Sequence, residues 1–372
     1  MLLPLSGPNA AIGQGMLDAA QIALFDLPDP HIALIPRDTG GTSAGATAAA
    51  QDAVSQGAKL IIGPLTAAEV EGIKPVAQAR NVPVLAFSTV TKLAGNGTYL
   101  LGFLPSQGVA RLVAYAHDQN IQHIAMLAPN SAYGHVIADA LKDALAAQQT
   151  TPANTVFFDP SSPDFVPVVR SLVGYDTQKA NRDDQRRQLA KLHDPASQEA
   201  LKKLNDAAAA DPVPFDAVLL PEGGDELKAI LPLLPYYGVD PAKIHYLGTG
   251  LWDDPTLLTE PELQNAWYPA PDPAGRADFE KRFTDLYGHA PPRLSSLAYD
   301  AVALTASLIH VGQVVNFSQD ALTNPSGFTG LDGIFRLLPS GLVERGLAVL
   351  EIQRTGPVVA SPAPQSFPGP GI

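Results

Sequence analysis

The chain has 372 residues, of which 46% are hydrophobic and 16% are charged, a composition typical of a globular protein with large buried cores. Its 24 basic and 37 acidic residues give a formal charge of -13, which disfavours nucleic acid and anionic membrane surfaces as partners because phosphate binding needs a concentrated basic surface. The chain has no cysteine, which excludes disulfides, thiol nucleophiles and cysteine-ligated zinc or iron–sulfur sites.

The first predicted strand, Leu2–Leu5, begins directly after Met1 without any lead-in. The segment "MLLPLSG" lacks the basic region and the long apolar region of a signal peptide. We therefore expect Met1 to be an added start on a trimmed secreted precursor, whose export signal lay upstream.

The N-terminal third alternates short apolar strands with helices. Apolar residues recur at helical spacing from Ile12 to Ala23, and further helices are predicted at Ser43–Gln56 and Ala67–Arg80. Short apolar runs between helices are typical of buried parallel strands, so the alternation predicts a doubly wound sheet. The predicted strands are Leu2–Leu5, "HIALIP", "KLIIGP" and "VPVLAF".

A second series of strands and helices follows on the same plan. Helices are predicted at Gln107–Asp118, through the apolar positions from Val136 to Leu145, and from Asp225 to Leu234. This series predicts a second open α/β sheet. Its strands are "HIAMLAP", "NTVFF", "FDAVLLP" and "KIHYLGTG".

A charged segment rich in alanine and glutamine, residues 175–212, interrupts the second series. The insert is predicted to form one or two surface helices, with a break at Pro195. A solvated helical face is the favoured interpretation, and a docking element for a partner is the alternative. The large apolar anchors of the insert are Leu189, Leu192, Leu201 and Leu204.

The last part of the chain departs from the alternation. Residues 299–312 are predicted to form an apolar helix. The segment "GIFRLLPSGLVERGLAVLEI" alternates around a Pro-Ser-Gly turn, which predicts a hairpin. The terminal "SPAPQSFPGPGI" is too rich in proline and glycine for a helix or an inner strand. We expect this tail to lie on the surface or to be mobile.

Loops at the carboxyl ends of the predicted strands are the candidate binding segments, because open parallel sheets bind ligands there. The first series offers hydroxyl and backbone N–H groups, which suit an anion, and the second offers a phenol, an indole and carboxylates. The alternative roles are helix capping for the hydroxyls and core packing for Tyr133 and Trp252. The loops are Ser6–Asn9, Gly63–Thr66, Phe87–Thr89, Asn130–Gly134, Glu222–Asp225 and Thr249–Asp254.

Sequence motifs for catalysis, metals and cofactors are absent. The eight histidines are scattered without a His-x-x-x-His pair, and no glycine-rich phosphate motif follows a strand. The paired carboxylates of "EGGDE" and "WDD" have no histidine or nucleophile at a recognisable spacing. We predict a non-enzymatic protein without metal or cofactor, with an enzyme that uses these carboxylates as the alternative.

Three segments together resemble type I periplasmic solute-binding proteins of the leucine/isoleucine/valine-receptor kind, and their order and spacing match that family along nearly the whole chain. They are "LLPLSGPNAAIGQGMLDAAQIAL", "AKLIIGPLTAAEVEGIKPVAQARNVPVLAFST" and "NSAYGHVIADALKDAL". Finer features are similar to the penicillin-binding protein activator branch, the LppC/LpoA-like lipoproteins of Gram-negative bacteria. These features are "VPVLAFST", "YLLGFLPSQ", "LLPYYGVDP", "LGTGLWDDP", "SLAYDAVAL" and "GFTGLDGIFRLLPSGLVERGLAVLEI".

The resemblance implies an α/β fold of two doubly wound parallel-sheet lobes joined by three crossovers, which close on a ligand like a Venus flytrap. Lobe one would comprise residues 1–104 and 269–321. Lobe two would comprise residues 105–268 and 322–372, including the insert at 175–212. The ligand would bind in the cleft between the lobes.

The resemblance also implies ligand-binding residues. In amino-acid receptors of this family, hydroxyl residues after the third and fourth strands hold the ligand carboxylate, and a Tyr-Gly motif closes over the ligand. The family's acceptor for the ligand ammonium falls where this chain has Gly250 and Leu251, so Glu222, Asp253 or Asp254 would have to take that role at a different spacing. The predicted ligand-binding residues are Ser6, Thr66, Phe87, Ser88, Thr89, Tyr133, Glu222, Trp252 and Asp253.

The branch implies a non-enzymatic regulator that activates peptidoglycan synthesis through a penicillin-binding protein. Its cleft would take a small anionic or amino-acid-like ligand, or a cell-wall fragment. The alternative is the substrate-binding receptor of an ABC importer for an amino-acid-like solute, with an ABC permease as its partner. Both functions imply a periplasmic protein, which in the full-length precursor would be anchored to a membrane by a lipid.

Overall fold

The computed structural model of the protein describes residues 1–27, 32–162, 164–192, 194–206, 212–310 and 316–367. The chain divides into two compact units. Unit 1 comprises Met1–Gln107, Pro271–Ala348 and the described residues from Pro362 onward. Unit 2 comprises Gly108–Ala270 and Val349–Ser361.

Short strands and longer helices alternate along most of the described chain. The helices are α1 (Ala10–Asp26), α2 (Ser43–Ser55), α3 (Ala67–Ala79), α4 (Pro105–Asp118), α5 (Ala132–Ala147), α6 (Val166–Val173), α7 (Tyr175–Lys191), α8 (Pro195–Asp206), α9 (Gly224–Ile230), α10 (Leu233–Tyr236), α11 (Ala277–Tyr287), α12 (Ser295–His310) and α13 (Gln319–Leu322). The strands are β1 (Leu2–Leu3), β2 (Arg37–Asp38), β3 (Ile61–Ile62), β4 (Val84–Ala86), β5 (Thr98–Leu100), β6 (Ile124–Pro129), β7 (Asn154–Phe158), β8 (Ala217–Leu219), β9 (His245–Leu247), β10 (Trp267–Ala270), β11 (Phe328–Gly330), β12 (Gly333–Leu337), β13 (Val343–Arg345), β14 (Ala348–Gln353) and β15 (Gly356–Ser361). None of the helices that the structure describes is long and apolar enough to cross a lipid bilayer.

The strands of the N-terminal part of unit 1 send alternate side chains into two cores. β1 pairs with β2, and β4 pairs with both β3 and β5, all in parallel. Val84 and Ala86 pack with side chains of α2 and α3, whereas Leu85 and Phe87 pack with side chains of α1 and α12. Successive side chains of a strand point to opposite faces, so a strand buried on both faces needs a continuous apolar run.

Small residues let the helices of unit 1 approach one another closely. Thr47 Oγ1 on α2 donates a hydrogen bond of 3.0 Å to Gly72 O on α3, and a Cβ added to Gly72 would lie 2.6 Å from Ser43 Oγ. On the other face, Gly15 of α1 lies against Pro292 and Ser295 at the start of α12. Glycine therefore sets the spacing of both helix pairs.

The β12–β13 hairpin lies in unit 1, whereas the predicted division assigned residues 322–372 to lobe two. The hairpin is antiparallel and turns at the predicted Pro-Ser-Gly segment, which confirms that element. Phe335 and Val343 join the same core as Leu85, and Leu100 N donates 2.8 Å to Gly341 O. The apolar face of the hairpin packs on this core, so the hairpin belongs to unit 1. Of the predicted segment 322–372, only Val349–Ser361 lies in unit 2.

Unit 2 contains a seven-stranded sheet in the order β15-β14-β10-β9-β8-β6-β7. The five strands from β10 to β7 in this order are parallel; four of them were predicted, and β10 was not. The strands β14 and β15 form an antiparallel pair at the edge. Side chains of α4 and α5 pack on the strands around Met126, Leu219 and Leu247.

Two predicted elements differ from the structure. The predicted strand "HIALIP" begins at His31, outside the described residues, and residues 32–36 are not a strand. The pairing with β1 occurs at β2 instead, where Arg37 N donates a hydrogen bond of 2.8 Å to Met1 O.

The predicted helix Asp225–Leu234 is divided into α9 and α10, because Pro232 has no N–H for the helical ladder. The predicted helix 299–312 is α12, and residues 311 and 312 lie outside the described residues.

The predicted insert forms two helices, α7 and α8, and the predicted break lies before Pro195. None of the residues of α7 is buried, and Leu192, a predicted anchor, is 53% exposed. Residues 193 and 207–211 of the insert lie outside the described residues. A solvated face therefore describes α7, and docking of a partner stays a prediction.

Candidate ligand-binding site

A cavity of about 390 Å³ lies at the carboxyl end of the parallel strands of unit 1. Four of the predicted ligand-binding residues lie around it, because β3, β4 and β5 all end there. The lining residues are Leu65, Thr66, Ala67, Phe87, Ser88, Thr89, Val90, Gly102, Phe103 and Leu294.

Thr66 reaches this cavity as the N-cap residue of α3. Its Oγ1 accepts a hydrogen bond of 3.4 Å from Glu69 N, and its own N–H donates a hydrogen bond of 2.8 Å to Glu69 Oε2. Glu69 is fully buried and also accepts a hydrogen bond from Thr39 Oγ1. This capping box fixes the backbone of Thr66 and uses its hydroxyl as an acceptor. The hydroxyl proton of Thr66 therefore stays outside the box and can be donated to a ligand.

Ser88 and Thr89 lie in the loop after β4. Ser88 Oγ accepts a hydrogen bond of 3.2 Å from Val90 N, so its proton is also left for a ligand. Ser88 is buried, whereas Thr89 is exposed. A Cβ on Gly102 would lie 2.7 Å from Phe87 O, so glycine allows the loop after β5 to approach this loop.

Ser6 lies at the end of β1, outside the set of residues that line the cavity. Its N–H donates 3.2 Å to Asp38 Oδ1. A hydrogen bond from the Ser6 hydroxyl, followed by one from Gly40 N, lowers the pKa of the Asp38 carboxyl. Ser6 therefore connects the turn after β1 to Asp38 of β2 through hydrogen bonds. Its contact with a ligand stays a prediction.

In unit 2, Tyr133 and Thr249 join the loops that follow β6 and β9. Tyr133 Oη donates a hydrogen bond of 2.9 Å to Thr249 Oγ1, and Thr249 is buried. Burial raises the pKa of the Tyr133 phenol, and the nearby charge of Glu222 adds to this effect. The phenol is therefore neutral at physiological pH, and its oxygen can accept a further hydrogen bond.

Glu222 and Trp252 lie in the loops that follow β8 and β9. Trp252 Nε1 donates 2.9 Å to Glu222 O, and the indole ring occupies the space beside Gly248 where a Cβ would be. Trp252 is 1% exposed, so its ring packs inside unit 2, and its contact with a ligand stays a prediction. Burial raises the pKa of the half-buried Glu222 carboxyl, whose Oε1 accepts a hydrogen bond from Gly223 N at 3.0 Å.

The acidic residues after Trp252 form no metal site in the described part of the chain. Asp254 Oδ1 accepts a hydrogen bond of 2.8 Å from Thr256 N and caps a short helical turn. Asp253 is half-buried, and its ligand contact stays a prediction. Across the residues described, no group of three or more histidine, aspartate or glutamate residues could hold a metal ion.

Phe103 and Leu294 lie in the cavity wall but are not among the predicted ligand-binding residues. Phe103 follows β5 within "YLLGFLPSQ", so its place after a strand end was a usable signal. Leu294 precedes α12 and is remote in sequence from the other lining residues. No local pattern indicates that it returns to this cavity.

A family model described as "Periplasmic binding protein" matches residues 1–352 of the chain. The chain belongs to the periplasmic binding protein family. Periplasmic binding proteins of known structure share its mixed α/β fold with parallel sheets, so the predicted family and fold class are confirmed. Membership implies a periplasmic location.

Three solved structures illustrate how widely periplasmic binding proteins share this fold. A branched-chain amino acid ABC transporter periplasmic ligand-binding protein from Burkholderia xenovorans LB400 has a TM-score of 0.72 and 16% identity, over 98% of this chain and 94% of that chain. A solute-binding protein from Rhodopseudomonas palustris BisB5, in complex with 3,4-dihydroxybenzoic acid, has a TM-score of 0.63 and 15% identity, over 99% of this chain and 96% of that chain. The protein LivJ from Streptococcus pneumoniae, in complex with isoleucine, has a TM-score of 0.60 and 17% identity, over 97% of this chain and 98% of that chain.

A curated relative of this periplasmic binding protein is an uncharacterized protein of Rickettsia prowazekii (strain Madrid E). It is 24% identical over 172 residues, which cover 46% of this chain and 46% of that protein. The alignment thus spans about half of the relative's length. The likeness assigns no ligand to either protein.

Proposed function

We propose that this periplasmic binding protein binds a small solute that carries a carboxylate and delivers it to an ABC importer. The observation that carries the proposal is the state of two hydroxyls in the wall of the unit 1 cavity. Thr66 Oγ1 and Ser88 Oγ each accept a backbone N–H, so each has a proton to donate elsewhere. Hydroxyl donors fixed in this way are suited to a carboxylate, which only accepts hydrogen bonds.

The ligands of the solved neighbours support this class of solute. The Streptococcus pneumoniae protein holds isoleucine and the Rhodopseudomonas palustris protein holds 3,4-dihydroxybenzoic acid, and both molecules carry a carboxylate. All three neighbours described above are named as components of transporters. We therefore place the importer role before the activator role.

Residues of unit 2 are proposed as further ligand contacts. The neutral Tyr133 phenol would meet uncharged parts of the solute, and Glu222 or Asp253 would meet a polar group. This assignment extends the resemblance to amino-acid receptors and rests on the loop positions of these residues at strand ends.

Replacement of both fixed hydroxyls tests the proposal. We expect Thr66→Ala combined with Ser88→Ala to weaken carboxylate binding by at least about 100-fold, because each hydrogen bond to a charged group contributes roughly 1.5–3 kcal/mol. Calorimetric titration with a panel of amino acids, aliphatic acids and aromatic acids measures the affinity. Thermal unfolding is an independent measurement, since a ligand at 100 times its Kd stabilises a one-site protein by about 2.7 kcal/mol.

Thr42→Ala is the matched control for the loss of a helix cap. Thr42 Oγ1 accepts a hydrogen bond from Gly45 N at the start of α2, and Thr42 is not among the residues that line the cavity. We expect this variant to lose stability of about 1 kcal/mol while it keeps the affinity of the parent protein. Binding of no carboxylate by the parent, or unchanged affinity in the double variant, would contradict the proposal.

Regulation of peptidoglycan synthesis stays a prediction from the finer LppC/LpoA-like motifs. It requires a penicillin-binding protein as the partner and does not require transport. Capture of a purified cell-wall synthase by this protein, in the absence of any solute that shifts its thermal unfolding, would favour the activator role. The predicted lipid anchor is compatible with both functions.

A further inference from the structure

Another cavity of unit 1, of about 510 Å³, lies at the amino ends of β4 and β5. We call it the amide-lined cavity. Pro83 directly precedes β4 and Gly97 directly precedes β5, whereas Thr66 and Ser88 lie at the opposite end of the same sheet. Its volume falls within the range of about 300–1,000 Å³ that is typical of small-molecule sites.

Four side-chain amides lie around the amide-lined cavity. They come from α3, from the turn after it, from the turn before β5 and from α13, and all four residues are exposed. Within the described part of the chain, none of the four amide groups has a hydrogen-bond partner in the protein. Each amide can donate and accept hydrogen bonds, so all of this capacity is left for a ligand or for water. The four residues are Gln78, Asn81, Asn96 and Gln319.

Tyr99 also lines this cavity, but it is only 4% exposed and packs in the same core as Leu85. Among the described residues its hydroxyl has no hydrogen-bond partner, although the oxygen is not sealed inside the core. The hydroxyl is therefore reached from the cavity. Burial, and then the charge of Asp320, raise the pKa of the Tyr99 phenol, so the hydroxyl keeps its proton and can donate it to a ligand.

The rest of the lining is apolar or small and uncharged. Val82, Pro83 and the half-buried Phe317 supply apolar surface beside the amides. None of the residues that line the cavity carries a charge. Side chains that both donate and accept match hydroxyl groups, which also do both, whereas a carboxylate only accepts and an ammonium only donates. Apolar surface beside such groups suits the C–H face of a sugar ring.

We infer that the amide-lined cavity is a second binding site of unit 1 and that its ligand is a neutral carbohydrate. The inference goes beyond the proposed function and does not rest on it, because the two cavities share no lining residue. Gln78, Asn81, Asn96 and Gln319 bind the sugar hydroxyls, Tyr99 donates from the floor of the site, and Phe317 packs against the ring.

Titrations followed by ligand-observed NMR, with three sugars that differ in charge, test the inference. N-acetylglucosamine is neutral, glucosamine carries an ammonium and glucuronate carries a carboxylate. We expect the neutral sugar to bind at least about tenfold more tightly than the two charged sugars, because the wall offers no opposite charge. Equal binding of all three sugars, or binding of none, would overturn the inference. Triacetylchitotriose identifies the source, since tighter binding of this trisaccharide indicates a glycan chain and equal binding indicates a single sugar.

Glycine substitutions remove two amides and preserve the backbone. Asn81 and Asn96 have φ angles of 53° and 52°, in the left-handed region that asparagine and glycine favour. Conformation alone accounts for an asparagine at each position, so the variant must keep that conformation. We expect Asn81→Gly combined with Asn96→Gly to weaken N-acetylglucosamine by at least about tenfold, through the loss of two hydrogen-bonding groups. Unchanged affinity in this variant would overturn the site.

Asn120→Gly is the matched control, because Asn120 follows α4 as Asn81 follows α3. Its φ is 65°, and it lies in unit 2, away from the cavity lining. In both turns the next residue donates a hydrogen bond back to the helix, of 2.9 Å from Ile121 N and of 3.0 Å from Val82 N. We expect this variant to keep the sugar affinity of the parent protein. A loss equal to that of the double variant would show an effect of the turn and overturn the role of the amides.

Tyr99→Phe tests the phenol, since it removes the hydroxyl and keeps the ring in the core. We expect the affinity for N-acetylglucosamine to fall about two- to tenfold, while the urea midpoint of unfolding does not fall. Tyr246→Phe is the control, because Tyr246 Oη donates a hydrogen bond of 2.6 Å to Val239 O in unit 2. That variant should lose stability and keep the sugar affinity. Unchanged affinity in Tyr99→Phe would overturn the role of Tyr99 in the site.

Discussion

Asp300 shows how one buried carboxyl makes stability depend on pH. Burial, together with the charge of Asp332, raises its pKa from 3.8 to about 7, although Arg345 opposes the change. Between these two values the folded state holds a proton that the unfolded state releases, so the free energy of unfolding falls as pH rises from about 4 to 7. Below pH 4 both states are protonated, and above pH 7 the full cost of ionising Asp300 is present.

Asp300→Asn tests this dependence. Asparagine keeps an oxygen that can accept the hydrogen bond from Leu331 N, but it does not ionise. We expect the urea midpoint of the variant, relative to the parent, to rise between pH 5 and pH 8. Asp38→Asn is the control, because the pKa of Asp38 is lowered and this carboxyl stays ionised in both states over that range. A constant difference between Asp300→Asn and the parent would contradict the prediction.

At the scale of single residues, the sequence could locate the hydroxyls but not the buried ion pairs of unit 1. Thr66 and Ser88 follow apolar strands directly, so the rule that parallel sheets bind at strand ends brings them to one cavity. Arg293, Asp332 and Arg345 come from distant segments and meet only through the folding of the chain around α12 and β13. No spacing in the sequence connects them with one another.

Single elements of this protein depend on glycine for their spacing, and Gly72 of α3 is the clearest case. A Cβ there would lie 2.6 Å from Ser43 Oγ and 2.7 Å from Ser43 O on α2. Gly72→Ala should gain about 1 kcal/mol of helix propensity but lose about 1–3 kcal/mol from overpacking, so a net loss of stability is expected. Gln78→Ala, at an exposed site of the same helix, is the control. Urea unfolding measures both variants, and a stabilised Gly72→Ala would show that the two helices separate freely.

Elements with a regular apolar pattern were predictable, and elements defined by their partners were not. The helices α2 and α3 lie within a residue of their predicted ends because caps and apolar spacing determine them. The strand after α1 was predicted at residues 31–36, but the chain pairs with β1 at the charged residues Arg37 and Asp38 that follow. Pairing with a distant strand leaves no apolar pattern in such a short charged strand.

At the scale of the whole molecule, the order of the chain predicts two α/β units but not which unit receives the C-terminal strands. Alternating strands and helices appear in both halves, and each half forms parallel strands. The hairpin β12–β13 is apolar on one face, and that face would suit the core of either unit. The hairpin contacts α12 and β5 in unit 1, and this tertiary packing cannot be predicted from the local sequence pattern.

The two units depend on their later segments to different degrees. Nine of the 21 buried residues in the larger core of unit 1 lie between Leu297 and Val343, in α12, β12, β13 and their surroundings. In the described core of unit 2 around α4 and α5, the buried residues run from Val109 to Trp267, with Val349 as the exception. Because β14 and β15 lie at the sheet edge, their removal leaves the centre of that sheet intact.

Separate expression of the two N-terminal segments tests this asymmetry. Residues 1–107 would expose Leu85, Phe87 and Tyr99 to water, so we expect this fragment to lack a cooperative unfolding transition in urea. Residues 105–270 keep α4 whole and retain almost all of their core, so a cooperative transition at a lower midpoint than in the full chain is expected. Circular dichroism and amide exchange measure both fragments. A cooperative transition in residues 1–107 would mean that α1–α3 and β1–β5 fold without α12, and the apolar face beneath α12 would then have to be covered by other residues of the same fragment.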